Sequence, residues 1–211
     1  MNNDLALFLG MLCGDGHLSI HVKRRKSGIY YDYYTGFCNT NIKIMELFSG
    51  LFLKLFNVRG NFYSRDRPNR KRIYDFNSYS RPVFDTISAL GFPIGVKRDK
   101  LRIPDVVKNG SDDEKLSFLL GVLITDGGIR KNETIIFHSG SKLFLEDLTQ
   151  LFKELWDMDK KVKSYIQREK FISYQITLNR QESKKLLEPL SHNGSAPVLS
   201  LEINLINKKN M

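Results

Sequence analysis

The feature that most constrains this chain is an internal repeat. The apolar run Leu7-Phe8-Leu9-Gly10-Met11-Leu12-Cys13 leads into Gly14-Asp15-Gly16. A second run, Phe118-Leu119-Leu120-Gly121-Val122-Leu123-Ile124, leads into Thr125-Asp126-Gly127. The two aspartates stand 126 − 15 = 111 positions apart in a chain of 211 residues. Each copy opens half of the chain, so the expected architecture is one structural unit used in tandem.

The segments after the two runs also match. After Asp15, residues 17–38 read as a hairpin breaking near Lys26-Ser27-Gly28, and 41–56 as a helix by apolar spacing. Residues 58–64 and 71–79 read as a second hairpin around Asp66-Arg67-Pro68-Asn69, and 81–90 as a helix that stops at Gly91. After Asp126 the order recurs: a hairpin over 128–138 turning near Lys131-Asn132, a helix over 141–156, a hairpin from 161–168 and 171–178, and a helix over 181–190 ending around Pro189 and Asn193-Gly194. The expected fold is α+β, two αββαββα repeats, with the first hairpin about ten residues longer in the first half. The divisions expected are 1–96, a linker over 97–115 containing Pro104, and 116–211. A strand-like stretch from Val198 to Ile206 lies outside the repeat.

The aspartates carry the chemistry. Gly10 and Gly14 share a helix face, as do Gly121 and Thr125, and small residues at that spacing let two backbones approach. The natural partner of each motif helix is the other. Asp15 and Asp126 then close adjacent helices at the end where the helix dipole disfavours an anion, and Gly16 and Gly127 are expected to permit a tight exit. Two such carboxylates repel, and a divalent cation offsets the repulsion.

The charge favours a polyanionic partner. Lys and Arg number 33 against 23 Asp and Glu, a net charge of +10. Residues 1–110 hold 18 basic and 9 acidic residues, a balance of +9; the remainder hold 15 and 14, a balance of +1. The basic runs Lys23 to Lys26, Arg65 to Arg72 and Lys97 to Lys100 are interleaved with tyrosines. Cys13 and Cys38 are the two cysteines, too few for a disulfide framework or a four-ligand zinc site. No apolar run is long enough to span a bilayer, and the N-terminus lacks the basic flank of a secretory signal. A protein retained where the host genome lies, in cytoplasm or organellar matrix, is expected, with no membrane partner.

Phe8 to Gly16 and Leu119 to Gly127 resemble the LAGLIDADG motif, and the chain is similar to single-chain, two-motif homing endonucleases of that family. Lys100-Leu101-Arg102-Ile103-Pro104, leading into the second motif, is similar as well. The resemblance implies motif helices packed at a pseudo-twofold axis and saddle-shaped antiparallel sheets that bind DNA. It implies Mg²⁺, with Mn²⁺ or Ca²⁺ standing in for it in crystals, held by Asp15 and Asp126 with the Gly14 and Thr125 carbonyls. It also implies cleavage of both strands across the minor groove, leaving short 3′ overhangs, by one chain on a long, pseudo-palindromic or asymmetric duplex. Lys97 falls where such enzymes carry a lysine that activates water or stabilises charge; no counterpart stands between Ser191 and Val198, so asymmetric sites are expected. The supporting polar positions fall at Cys38-Asn39 and His138-Ser139, where the family often has Gln or Lys.

Two-stranded ribbons fit the major groove, and alternation decides which side chains meet it. The residues expected to contact DNA are His21, Lys23, Arg25, Tyr31, Tyr33, Thr35, Arg65, Arg67, Arg70, Arg72 and Tyr74 in the first half. In the second they are Arg130, Glu133, Gln167, Arg168, Lys170 and Gln175. His17, directly after the first motif, reads as a turn residue. Three other readings compete: an intron-RNA maturase on the same scaffold, a cleavage-dead DNA-binding regulator, which the two intact aspartates disfavour, and a small metabolic enzyme with an acidic dyad.

Overall fold

A helix with no polar stripe has to be covered on every side, and both motif segments are of this kind. The computed structural model describes residues 1–167 and 171–192. In it α1 (Asn3–Asp15) buries Ala6 and everything from Phe8 to Gly14. α5 (Asp112–Asp126) buries Phe118 to Ile124. Each begins on a side-chain cap. The Asn2 side chain accepts from Leu5 N at 2.8 Å, and Ser111 forms a reciprocal capping box with Glu114.

The two helices pack backbone against backbone. A methyl group at Gly10 would sit 2.1 Å from the Phe118 carbonyl oxygen, and one at Gly121 would sit 2.3 Å from the Leu7 carbonyl oxygen. The expectation that each small-residue face is covered by the other motif helix is met. The glycine after each motif plays a different part from the one expected. Gly16 and Gly127 have φ of −86° and −91°, open to any residue. What excludes a side chain is space: a Cβ on Gly16 would meet Leu12 at 2.4 Å, and one on Gly127 would meet the Leu123 carbonyl oxygen at 2.5 Å.

Each motif helix runs directly into a sheet. In the first half β1 (Gly16–Arg25), β2 (Gly28–Asn39), β3 (Asn61–Arg67) and β4 (Arg70–Ser78) form an antiparallel sheet in the order β1-β2-β4-β3. In the second, β5 (Gly127–Ile129), β6 (Ile135–Ser139), β7 (Lys163–Gln167) and β8 (Phe171–Leu178) repeat that order. One face of each sheet is covered by helices. Apolar residues spaced three or four apart on α2 (Ile42–Phe56) bring Phe48 onto Phe37 of β2, ring centroids 4.0 Å apart, with Phe8 of α1 stacked behind at 5.0 Å. α6 (Lys142–Trp156) does the same in the second half, setting Phe152 against Phe137 and Phe144 against Phe118. α3 (Arg81–Ala89) and α7 (Arg180–His192) complete the covered faces.

The repeat is close. α2 and α6 both end on a left-handed residue, Asn57 and Asp157, one hundred positions apart. The extra spacing between the motif aspartates lies wholly in the first hairpin, Gly16–Asn39 against Gly127–Ser139.

The structure departs from the sequence reading in several places. β3 starts at Asn61 rather than 58, because Gly60 lies over the Phe76 ring, where a Cβ would come within 2.1 Å. The strands around residues 66–69 continue to Arg67 and from Arg70, leaving a turn of Pro68 and left-handed Asn69. α7 continues through Pro189 to His192, the proline being accommodated within its last turns. The expected linker contains the short helix α4 (Asp105–Lys108) and is pinned down rather than loose. Arg102 grips Asp147 of α6 with two bonds of 2.8 and 2.6 Å, and Ile103 N donates to the same carboxylate at 2.9 Å. The stretch from Val198 to Ile206 lies outside the described residues. No helix among the described residues is long and apolar enough to cross a membrane.

Candidate active site and nucleic-acid interface

Because α1 and α5 pack along their length, their last residues meet. Asp15 and Asp126 stand half-buried at the joint, where water cannot fully solvate a charge. Burial, and then the facing Asp126, push the Asp15 carboxyl up to about 7 against the opposing pull of Asn39 and Lys97. Burial also raises the Asp126 carboxyl, with Lys97 opposing it. Asn39, the last residue of β2, donates from Nδ2 to Asp15 Oδ2 at 2.6 Å while its Oδ1 accepts from Asn41 N at 2.7 Å. The polar position at the end of the strand before α2 therefore does touch the motif acid. Its counterpart Ser139 makes the equivalent turn before α6, accepting from Ser141 N at 3.0 Å.

Lys97 reaches this joint from the loop after α3. Its ammonium donates to the carbonyls of Cys13 at 2.8 Å and Gly16 at 2.9 Å, and also to that of Gly14. Burial lowers its pKa, while Asp126, Cys13 and Asp15 act in the opposite direction. Lys97 thus meets a Gly14 carbonyl that sequence reasoning reserved for metal. The Thr125 hydroxyl is turned back onto its own helix, its one proton shared between the Gly121 and Val122 carbonyls at 2.9 and 3.2 Å.

The donor set fits a hard divalent cation. Among the described residues no group of three or more His, Cys, Asp or Glu could hold a metal. Two carboxylates and backbone carbonyls are all oxygen donors, and Mg²⁺ characteristically takes one or two carboxylates and completes its shell with phosphate oxygens and water.

The helix-free faces of the sheets flank this joint. In antiparallel pairing, residues directly opposite share a face. His21 opposes Asp32 and Lys23 opposes Tyr30, so His17, Ser19, His21, Lys23 and Arg25 lie with Tyr34, Asp32 and Tyr30 on the face away from the helices. His21 and His17 stack on either side of the Tyr34 ring at 5.4 and 5.2 Å, Lys23 pairs with Asp32, and Arg25 lies over Tyr30 at 5.5 Å. The expectation for Tyr31, Tyr33 and Thr35 is corrected. Thr35 is fully buried, Tyr33 packs edge-on against Phe84 of α3, and Tyr31 shares their face. The cause is the turn. Arg25 pairs with Gly28, so the loop is two residues and not three, and a shift of one residue inverts a whole strand.

A bulge divides the second basic group. Arg65 lies on the helix-free face and grips Asp75 through bonds of 2.7 and 2.8 Å, and Cys38 Sγ donates to the same carboxylate at 2.8 Å. Register shifts between Arg65 and Arg67. Tyr74 stacks on Phe62 on the helix side, and Arg72 shares that face, bonded to Asp66 at 2.6 Å. Arg67 donates to the Lys71 carbonyl, and Arg70 is exposed at the turn. In the second half Gln175 opposes both His138 and Lys163 on the helix-free face, and Gln167 ends β7. Arg130 is exposed at the end of β5. Glu133 is engaged by Arg180 at 2.7 Å. Arg168 and Lys170 lie outside the described residues, as does the stretch from Asn193 to Val198 searched for a second lysine.

Sequence reasoning passed over Tyr34, Asp75 and Tyr165, and it named Cys38, Arg65 and His138 without their partners; His17, read as a turn residue, stacks on Tyr34. A lone acid inside the strand Ile73-Tyr74-Asp75-Phe76 was a readable sign of the network around Asp75.

Residues 113–190 match the LAGLIDADG-like domain family. The described residues share the fold of I-DmoI. It superposes on I-DmoI in complex with DNA and Ca with a TM-score of 0.68 at 14% identity, over 95% of this chain and 97% of that one. For I-WcaI bound to its DNA recognition sequence the TM-score is 0.57 at 17% identity, over 89% and 81%. For I-LtrWI bound to target DNA it is 0.54 at 12% identity, over 91% and 84%. I-DmoI structures also hold Mn. No curated protein matches the chain. The LAGLIDADG-like domain takes in the second motif from Asp113, and the equivalent first-half elements repeat it in order.

Proposed function

We propose that this protein is a Mg²⁺-dependent, sequence-specific DNA endonuclease that cuts both strands of a duplex as a single chain and leaves short 3′ overhangs. The observation that carries the reading is the meeting of two half-buried aspartates at the joint of two packed helices, flanked by the helix-free faces of two sheets. Each half supplies one acid and one sheet, and the segment that joins them ends where α5 begins at Asp112, four residues before the boundary expected at 116. I-DmoI, I-WcaI and I-LtrWI, which share the fold, have been captured on DNA.

Asp15 and Asp126 would hold the cation with the Gly14 and Thr125 carbonyls. When bound there, a divalent ion supplies a water acidic enough to attack a phosphodiester and charge to stabilise the departing oxygen. The chain's own residues do the rest. Asn39 fixes the rotamer of Asp15, and Lys97 adds a positive charge where a phosphate would approach two carboxylates. His21, Lys23 and Arg25 present donors to the groove, and Arg70 and Arg130 present charge to the phosphates.

The test is a cleavage selection from a randomised duplex library, followed by assay of the recovered duplex with Mg²⁺ and with EDTA. Mg²⁺-dependent cutting of both strands, lost in D15N and in D126N with duplex binding retained, is the expected result. Double-strand cutting that survives either substitution refutes the assignment. Failure to cut any duplex, with preferential binding of structured RNA, selects the maturase reading instead.

A further inference from the structure

The two halves are unlike beside their motif acids. Residues 38 and 65 of the first half correspond to 138 and 165 of the second, since Cys38 pairs with Asp75 and Arg65 with Ile73, whereas His138 pairs with Gln175 and Tyr165 with Ser173. In the first half these positions form a closed ionic network, with Cys38 and Arg65 both bonded to Asp75. Gln175 replaces that aspartate in the second half. His138 Nδ1 and Tyr165 Oη stand 3.1 Å apart instead, the rings edge to face.

This pair opens on the motif acid. Asp126, His138, Ser139, Gly140, Tyr165 and Ser173 line one cavity of about 370 Å³. Lys97, beside the same acid, has all three ammonium protons directed at backbone carbonyls and has no lone pair while charged. A neutral imidazole that donates from Nδ1 to Tyr165 Oη keeps its Nε2 lone pair available.

We propose that His138, oriented by Tyr165, is the proton acceptor that serves the Asp126 side of the active site. This role rests on the endonuclease reading above. In the step it serves, water oxygen bonds to phosphorus as the bond from phosphorus to the departing sugar oxygen breaks. The water proton passes to His138 Nε2, and the departing oxygen takes a proton from solvent. Tyr165 is a positioning residue: its hydroxyl holds the ring at Nδ1, 3.1 Å away. The charged and titratable groups around the imidazole are Asp126 at the end of α5 and Arg130 after β5, with Tyr165 and Lys163 on β7, Lys163 lying across uncharged Gln175 of β8. Burial and Arg130 lower the His138 pKa, which keeps the ring neutral around pH 7.

The experiment uses the full chain and the duplex recovered by the selection, with each strand carrying its own 5′ label. H138Q retains hydrogen bonding but accepts no proton. It is expected to slow one labelled strand about 10²-fold while the other keeps its rate, so that nicked duplex accumulates. In H138A, added imidazole is expected to speed the slow strand, and Y165F is expected to slow that same strand less than H138Q does. The rising limb of the pH profile should belong to that strand alone in the wild type and disappear in H138Q. Equal change on both strands, or no change on either, overturns the role. Should H138Q fail to fold by circular dichroism, Y165F decides: strand-selective slowing supports the role, and its absence overturns it. A wild type that cuts neither strand overturns the endonuclease reading and this role with it.

Discussion

The ammonium of Lys97 donates to the Gly16 carbonyl at 2.9 Å, across a separation of 81 residues. With the Cys13 and Gly14 carbonyls it closes the C-terminus of α1. Helix ends leave carbonyls without partners and carry partial negative charge, and here two carboxylates add to it. Lys97 therefore acts as a tethered cation at the place where the motif acids would gather a free one. It couples the loop after α3 to the joint between the halves.

Replacing Lys97 by Met should consequently affect metal binding and cleavage in opposite directions. Removing a unit charge from beside the carboxylates, and freeing the Gly14 carbonyl, should tighten Mn²⁺ binding to the DNA-free protein by about tenfold or more. Cleavage should fall, because the charge facing the phosphate is lost. Paramagnetic titration with Mn²⁺ checks the first half of this statement. Unchanged or weaker Mn²⁺ binding would show that Lys97 supports the cation rather than competing with it.

Asp15 sets a pH dependence of stability whose sign is unusual for a carboxylate. Its folded pKa, about 7, is above its ordinary value of 3.8. Between those values the folded state holds more protons than the unfolded one, so stability falls as pH rises from about 4 to about 7 and then levels. D15N removes the penalty. With EDTA present, the variant should exceed wild type by a few kcal/mol at pH 8, and the difference should close towards pH 4. Urea unfolding at both pH values measures it, and a difference independent of pH would place the strain elsewhere.

Most of the architecture was legible because burial and repetition wrote it twice. Phe8 and Phe118 sit in two matching apolar runs, and Phe48 and Phe52 recur at helical spacing as Phe144, Leu148 and Phe152 do in the second half. The packing of α1 on α5 was legible from four small residues. Facing was less so. Tyr30, Tyr31, Tyr33 and Tyr34 give no period of two, so the parity of β2 hung on whether Gly28 belongs to the turn. The bulge between Arg65 and Arg67 has no composition signal, and it turns Arg67 to the face opposite Arg65. Long-range contacts such as those of Lys97 with α1 and Asp147 with Ile103 depend on how the halves dock, which local pattern does not encode.

Glycines provide a contrast within one protein. G10A and G121A each place a methyl within 2.3 Å of a backbone oxygen on the partner helix. The helices must separate, at a cost of about 3 kcal/mol or more, and both variants should lose duplex cleavage as the motif acids move apart. Gly50 is exposed on α2 with nothing within 4 Å of its ideal Cβ. G50A should stabilise by about 0.5–1 kcal/mol through helix propensity. Thermal melts of the three variants make the comparison, and a G121A protein as stable as G50A would mean that α1 and α5 are not in backbone contact.

Salt dependence separates arginines that are free to meet phosphate from those already engaged. Each phosphate neutralised on duplex DNA adds roughly 0.9 to the slope of log affinity against log salt. Arg70 is exposed at the turn between β3 and β4, whereas Arg72 lies on the helix side with Asp66 at 2.6 Å. R70A should flatten the slope by roughly one contact, and R72A by less, because Asp66 already neutralises the Arg72 charge. R65A should behave differently from both. Asp75 is 2% exposed and takes two bonds from Arg65, so removing the guanidinium leaves the buried acid with the Cys38 thiol alone and destabilises the protein. The Arg65 guanidinium and the Cys38 thiol hold Asp75 below its ordinary pKa against burial. Their contribution is therefore present above about pH 4 and lost as the acid protonates below it, so R65A and wild type should converge in stability at low pH. Duplex dissociation constants across a salt series, with urea melts at pH 7 and pH 3, resolve the three variants. A slope loss in R72A equal to that in R70A would show that DNA draws Arg72 away from Asp66 and reads the helix side of the hairpin tip as well.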